Sequence, residues 1–116
     1  MRLSILGVPY TLQYKFGDKD KGLTDDCDGY CDTSTKRIVV RDYTRAEREQ
    51  PNRLQDLDAY KRKCMRHEIA HAFLYESGLS VDGADCSAWP TNEEMVDWIA
   101  IQGPKLYAAW QRAGCL

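Results

Sequence analysis

From Val8 to Phe16 apolar side chains fall on every second position, Val8, Tyr10, Leu12, Tyr14 and Phe16, with Pro9, Thr11, Gln13 and Lys15 between them. A period of two predicts a half-buried strand. The stretch from Met1 to Val8 reads as the first strand of the fold. A signal peptide would continue apolar to a small-residue cleavage site, whereas here alternation follows. Gly17 to Gly22 is a polar turn, extended by Asp25-Asp26-Cys27-Asp28-Gly29. Tyr30-Cys31-Asp32 and Arg37 to Arg41 then flank Thr33-Ser34-Thr35-Lys36, which predicts a β-hairpin.

The pattern changes to helical spacing in the second half. Thr44-Arg45-Ala46-Glu47 matches a capping box and predicts a short helix ending before Pro51. A second start at Asn52 opens a run of helix formers that Gly78 stops. Leu57, Tyr60, Cys64, His67, His71 and Leu74 recur at spacings of three and four, which places both histidines on the inward stripe. After a polar loop from Leu79 to Pro90, Thr91-Asn92-Glu93-Glu94 opens another helix. Met95, Val96, Trp98, Ile99 and Ile101 predict that it is buried. Gly103-Pro104 should break it and begin a terminal helix that stops near Gly114. The expected fold is α+β: a small antiparallel N-terminal sheet packed on a long helix and a second buried helix, plus a C-terminal helix after Pro104.

At 116 residues the chain suits a single domain, residues 1–116, with one modest core. No stretch approaches the roughly 20 apolar residues of a membrane span, so no membrane partner is expected. A net charge of −2 with both signs interspersed lacks the basic face that nucleic acid requires. Five cysteines, an odd number in no scaffold pattern, suggest reduced thiols in a cytoplasm. Cys27 and Cys31 have no second pair to complete a zinc site and read as small buried side chains. Asp25, Asp26 and Asp28 lack the glycine and terminal glutamate of a calcium loop and read as a solvated segment.

The chemistry concentrates in His67-Glu68-Ile69-Ala70-His71. Two histidines four apart on a helix project side by side, so both imidazoles can reach one ion at about 2.0–2.1 Å, which suits zinc. Glu68, next to the first ligand, is placed to take a proton from zinc-bound water and return it to a leaving amine. These are the only two histidines in the chain. A catalytic zinc needs a third protein ligand, which is therefore a carboxylate or, as the lesser option, a cysteine. Glu93, Glu94 and Asp97, on a following helix that the loop can bring antiparallel to the first, are the candidates. If Thr91 is the N-cap, Glu94 folds back to complete its capping box and Glu93 is free to face the metal, with Glu94 the fallback. Asp97, one turn after Glu93, can accept the second ring N–H of a liganding histidine.

The pattern His67-Glu68-x-x-His71 followed by Glu93-x-x-x-Asp97 resembles the gluzincin metallopeptidases. The chain's shortness, the hairpin before the helix and the phrase Glu93 to Ala100 are closer still to the compact ImmA/IrrE-like metallopeptidases of bacteria, phages and mobile elements. That resemblance, which covers Arg37 to about Ala100, implies a downstream glutamate as third zinc ligand and a supporting residue four further on. It also implies that the strand nearest the active-site helix, expected at Arg37 to Arg41, lines the cleft and pairs its free edge with an extended peptide. Some gluzincins stabilise the oxyanion with an extra histidine. None is left here, so Tyr75, Tyr107 and Arg41 are the possible donors.

The expected function is zinc-dependent endopeptidase cleavage of an intracellular protein substrate, in a bacterial host's cytoplasm or encoded by a phage. Zinc-bound water is the nucleophile and Glu68 the general base. The alternative is a catalytically silent, zinc-stabilised protein of phage or mobile-element origin that binds and regulates a partner protein.

Overall fold

Alternation in the first third of the chain builds the sheet. In the computed structural model, which describes residues 1–51, 53–79 and 93–116 but not the side chains of residues 93, 96, 97 and 100, β1 (Arg2–Ile5) and β2 (Val8–Phe16) form an antiparallel hairpin. Both residues of its tight turn, Leu6 and Gly7, have positive φ, the geometry that matches strand twist and that glycine adopts without penalty. A second antiparallel hairpin joins β3 (Gly29–Asp32) to β4 (Arg37–Asp42), as the sequence predicts. The Asp32 carboxylate organises its turn, accepting from the Ser34 hydroxyl and from the Ser34 and Thr35 amides. Those bonds hold the Asp32 carboxyl down at about 2.

The two hairpins join through β2 and β4, which run parallel, giving the order β1-β2-β4-β3. The expected sheet is therefore mixed rather than wholly antiparallel. Parallel neighbours need a crossover, and the loop between residues 16 and 29 supplies it. That loop covers the outer face of the sheet. Leu23 is buried there, as is Val39, and a Cβ on Gly22 would come within 2.4 Å of the Tyr30 ring.

On the inner face Leu3, Ile5, Tyr10, Leu12, Ile38 and Val40 form one apolar layer. Cys64, Met65, Ile69, Ala72 and Phe73 of α2 (Leu57–Glu76) pack onto it, with Ala109 and Cys115 closing the core. The fold class is α+β, a four-stranded sheet packed against helices. A short helix, α1 (Arg45–Arg48), carries the predicted capping box between Thr44 and Glu47. Helix α2 begins later than Asn52, because the Asp56 side chain accepts from the Ala59 amide and Leu57 is the first residue it buries. It ends as expected at Gly78, whose φ of +82° suits glycine past a C-cap.

Helix α3 (Glu93–Ala113) runs through Pro104 without ending there, contrary to the expected break. A proline removes one intrahelical hydrogen bond. Trp98 on one side of it and Leu106, Ala109, Trp110 and Ala113 on the other pack against the same core, which holds the helix together. Met95 is buried, but Ile99 and Ile101 are 57% and 65% exposed, so only one face of α3 is inside. The expected antiparallel placement is observed. Trp98 donates to the Ser77 hydroxyl just beyond α2, and Arg66 near its middle donates to the Cys115 carbonyl at the far end of α3. Among the described residues no helix is long and apolar enough to cross a membrane.

One polar latch ties the end of α2 to the sheet. Glu76 Oε1 accepts from the Tyr10 hydroxyl at 2.7 Å and pairs with the Lys36 ammonium at the β3–β4 turn. Burial alone would raise the Glu76 carboxyl. The bonds from Lys36 and Tyr10 outweigh it, and the group lies below its ordinary value. A depressed carboxyl contributes stability above its unfolded-state value and loses it as pH falls through the folded one. Glu76→Gln should therefore cost about 1–3 kcal/mol at pH 7, and urea unfolding should show the gap from the parent narrowing towards pH 3.

Candidate metal and catalytic site

Helix α2 sets the site by its rotation. Its buried residues are Leu57, Cys64, Met65, Glu68, Ile69, Ala72 and Phe73. The stripe expected from the sequence is thus turned by about one residue: His67 and His71 are exposed, and Tyr60 and Leu74 are half-buried. Met65, Ile69, Ala72 and Phe73 offer the sheet a more continuous apolar surface, and the helix rotates to bury it. His67, His71 and Tyr75, successive at four residues, are left along the rim.

On that rim His67 Nε2 and His71 Nε2 lie 3.0 Å apart, their rings edge to face at 77° with centroids 4.6 Å apart. Two nitrogens bound to one tetrahedral zinc at 2.0–2.1 Å stand about 3.3 Å apart. The pair fits a shared metal with little adjustment. Partial desolvation, then the charges of His71 and Lys63, lower the His67 imidazole below its ordinary value and favour the neutral form that ligates.

Glu68 turns the other way. It is 8% exposed and is the one buried charged residue among those described. Burial raises its carboxyl, with His71 pulling it partly back. Among the described residues no hydrogen bond or ion pair reaches its carboxylate. Glu68 is thus a largely buried acid beside the two rim imidazoles, and burial favours its protonated form.

β4 packs beneath this helix, but the strand that lines the cleft is β3, not the expected Arg37 to Arg41. β4 is interior, paired with β2 on one side and β3 on the other, so it has no free edge. The Arg41 amide donates to the Asp28 carbonyl. By antiparallel alternation the backbone groups of Tyr30 and Asp32 then turn towards β4, and those of Gly29 and Cys31 turn outward. A cleft of 470 Å³ runs between this edge and α2, lined by Gly29, Tyr30 and Cys31 on the strand, Thr33 in the turn after it, and His67, Glu68, His71 and Tyr75 on the helix.

Gly29 and Cys31 were not singled out for this site by the sequence; an isolated glycine at a strand start was the available signal. A Cβ on Gly29 would lie 3.3 Å from Glu68 Cγ. The Cys31 thiol is pushed up to about 12, by burial first and then by the charge of Glu68, and so stays protonated. Cys27 gives its thiol to the Gly29 carbonyl at 2.9 Å, in keeping with its reading as a structural side chain.

Among the described residues no group of three or more His, Cys, Asp or Glu gathers to hold a metal. Glu94, the fallback ligand, is exposed and does not join the histidines. The side chains of Glu93 and Asp97, and the capping residue Thr91, lie outside the described residues. Glu93 opens α3, whose Trp98 meets Ser77 at the C-terminal end of α2. Of the three possible oxyanion donors, Tyr75 lies on the cleft wall, with Lys36 Nζ 4.9 Å from its ring. Tyr107 is exposed on α3 outside that wall. Arg41 is committed elsewhere, pairing with Asp28 at 3.0 Å and donating to the Thr24 carbonyl. Asp28 in turn accepts from Tyr60 at 2.8 Å and so fastens the loop to α2. No family model, curated protein or solved structure matches this chain.

Proposed function

We propose that this chain is a zinc-dependent endopeptidase acting on an extended segment of an intracellular protein. The observation that carries the reading is the largely buried Glu68 carboxylate, between two imidazoles whose Nε2 atoms are 3.0 Å apart, beside the edge of β3. The donors suit zinc: two imidazoles from α2, with a carboxylate, Glu93, as the proposed third ligand and Asp97 backing an imidazole. When bound there, zinc would polarise a scissile carbonyl and acidify a water molecule.

The chain's own residues supply the remainder. Glu68, desolvated and raised towards the working pH, accepts the proton of the attacking water and returns it to the leaving nitrogen. The outward backbone groups of Cys31 and the Gly29 amide hold an extended peptide by adding it as a strand beside β3, the Gly29 carbonyl being taken by the Cys27 thiol. Tyr75, one turn beyond His71, donates to the carbonyl oxygen as charge develops on it.

The metal assignment predicts that protein purified without an affinity tag binds one equivalent of zinc. His67→Ala, His71→Ala and Glu93→Ala should each lose it in a competitive chelator titration, while Glu94→Ala keeps it. Undiminished zinc in a His67→Ala/His71→Ala double variant would refute the site. For catalysis, Glu68→Gln should bind zinc like the parent yet lower kcat by about 10²–10⁴-fold. Parental turnover by that variant contradicts the mechanism. A biological effect that survives the substitution intact would instead indicate a protein that acts by binding.

A further inference from the structure

Glu68 reaches the cleft through a gap in the strand opposite it. Gly29 lies on the inner face of β3 across from Val40, where a side chain would point at α2. A Cβ built there would meet the Val39 carbonyl oxygen at 3.2 Å, Val40 Cγ2 at 3.3 Å and Glu68 Cγ at 3.3 Å. All three approaches are tighter than comfortable contact, so one neighbour must give. Two of them are fixed. Val39 and Val40 belong to the interior strand β4, paired on both sides and almost fully buried, and interiors at crystal-like density yield little. Glu68 is the neighbour that can move, being a flexible side chain without a hydrogen-bond partner among the described residues.

From this we infer that Gly29 is a positioning residue for Glu68. By presenting no side chain, the edge strand leaves Glu68 Cγ uncrowded beside the same strand on which the peptide would dock. The glycine's φ lies outside the positive region, so its conformation does not demand glycine. The space that Glu68 occupies does. Nearby Cys31, small and half-buried, continues the same wall. This inference rests on the reading of Glu68 as the general base. It adds that the geometry of the base is set from the substrate-binding strand, so that docking and proton transfer share one fixed element.

The test combines a stability cycle on the zinc-free chain with kinetics on the zinc-loaded one. Gly29→Ala should lower the urea midpoint of the parent, and the share of that loss due to Glu68 should disappear when Glu68→Ala has removed the crowded Cγ, leaving the share due to Val39 and Val40. An equal loss in both backgrounds overturns the inference. If Gly29→Ala alone fails to fold, a folded Gly29→Ala/Glu68→Ala double variant supports it, and failure of both overturns it. In catalysis Gly29→Ala should reduce kcat about ten- to a hundred-fold, since a displacement on the order of 1 Å has that effect. KM and zinc stoichiometry should stay within twofold of the parent. An unchanged kcat, or a loss confined to KM, contradicts the positioning role. If the parent itself cleaves nothing, the hydrolase reading fails, and the stability cycle alone decides whether Gly29 sets the place of Glu68.

Discussion

The site depends on which face of α2 the sheet takes. Leu3, Ile5, Tyr10, Leu12, Ile38 and Val40 present a continuous apolar surface, and the helix covers it with Met65, Ile69, Ala72 and Phe73. In that rotation Glu68 must go inside and His67 and His71 must stay at the rim. Core burial, which stabilises by about 25 cal/mol per Å² of apolar surface removed from water, is far larger than the cost of one desolvated carboxylate. The hydrophobic contact therefore sets the arrangement: a largely buried acid lining the cleft next to two exposed imidazoles.

Secondary contacts hold that rotation. The Glu76 latch to Tyr10 and Lys36 fixes the C-terminal end of α2, and Tyr60 with Asp28 and Arg41 fixes its other half to the loop leading into β3. Asp28 immediately precedes Gly29, so the same tie seats the edge strand. Strand and helix are thus pinned to each other on either side of the cleft, and the distance between Glu68 and the β3 backbone is set by the scaffold rather than by a loop.

Local signals in the sequence were strong enough to give most elements. Strict alternation marked β2, the Thr44–Glu47 capping box marked α1, and Gly78 marked the end of α2. The His67-Glu68-x-x-His71 spacing marks a candidate site from local sequence alone, and the two imidazoles do stand together on α2. What local signals could not give was set at long range. The insertion of β4 between β2 and β3 is a pairing choice made across the crossover loop, and it moved the cleft strand from Arg37–Arg41 to Gly29–Asp32. Apolar residues at adjacent positions 64 and 65, and 72 and 73, fit two neighbouring helical stripes; only the sheet decides between them. Pro104 was read as a break because propensity ignores the packing that carries α3 through it. The third ligand has no local signature beyond the capping argument at Thr91.

In the proposed site His67 and His71 share one zinc ion that Glu68 does not ligate. Zinc-edge X-ray absorption on the metal-loaded, untagged chain reads the coordination sphere directly. The account predicts two imidazole nitrogens with oxygen donors, all near 2.0–2.1 Å, in a spectrum that Glu68→Gln leaves unchanged. Sulfur at about 2.3 Å, or a sphere that loses an oxygen when Glu68 is replaced, would contradict it.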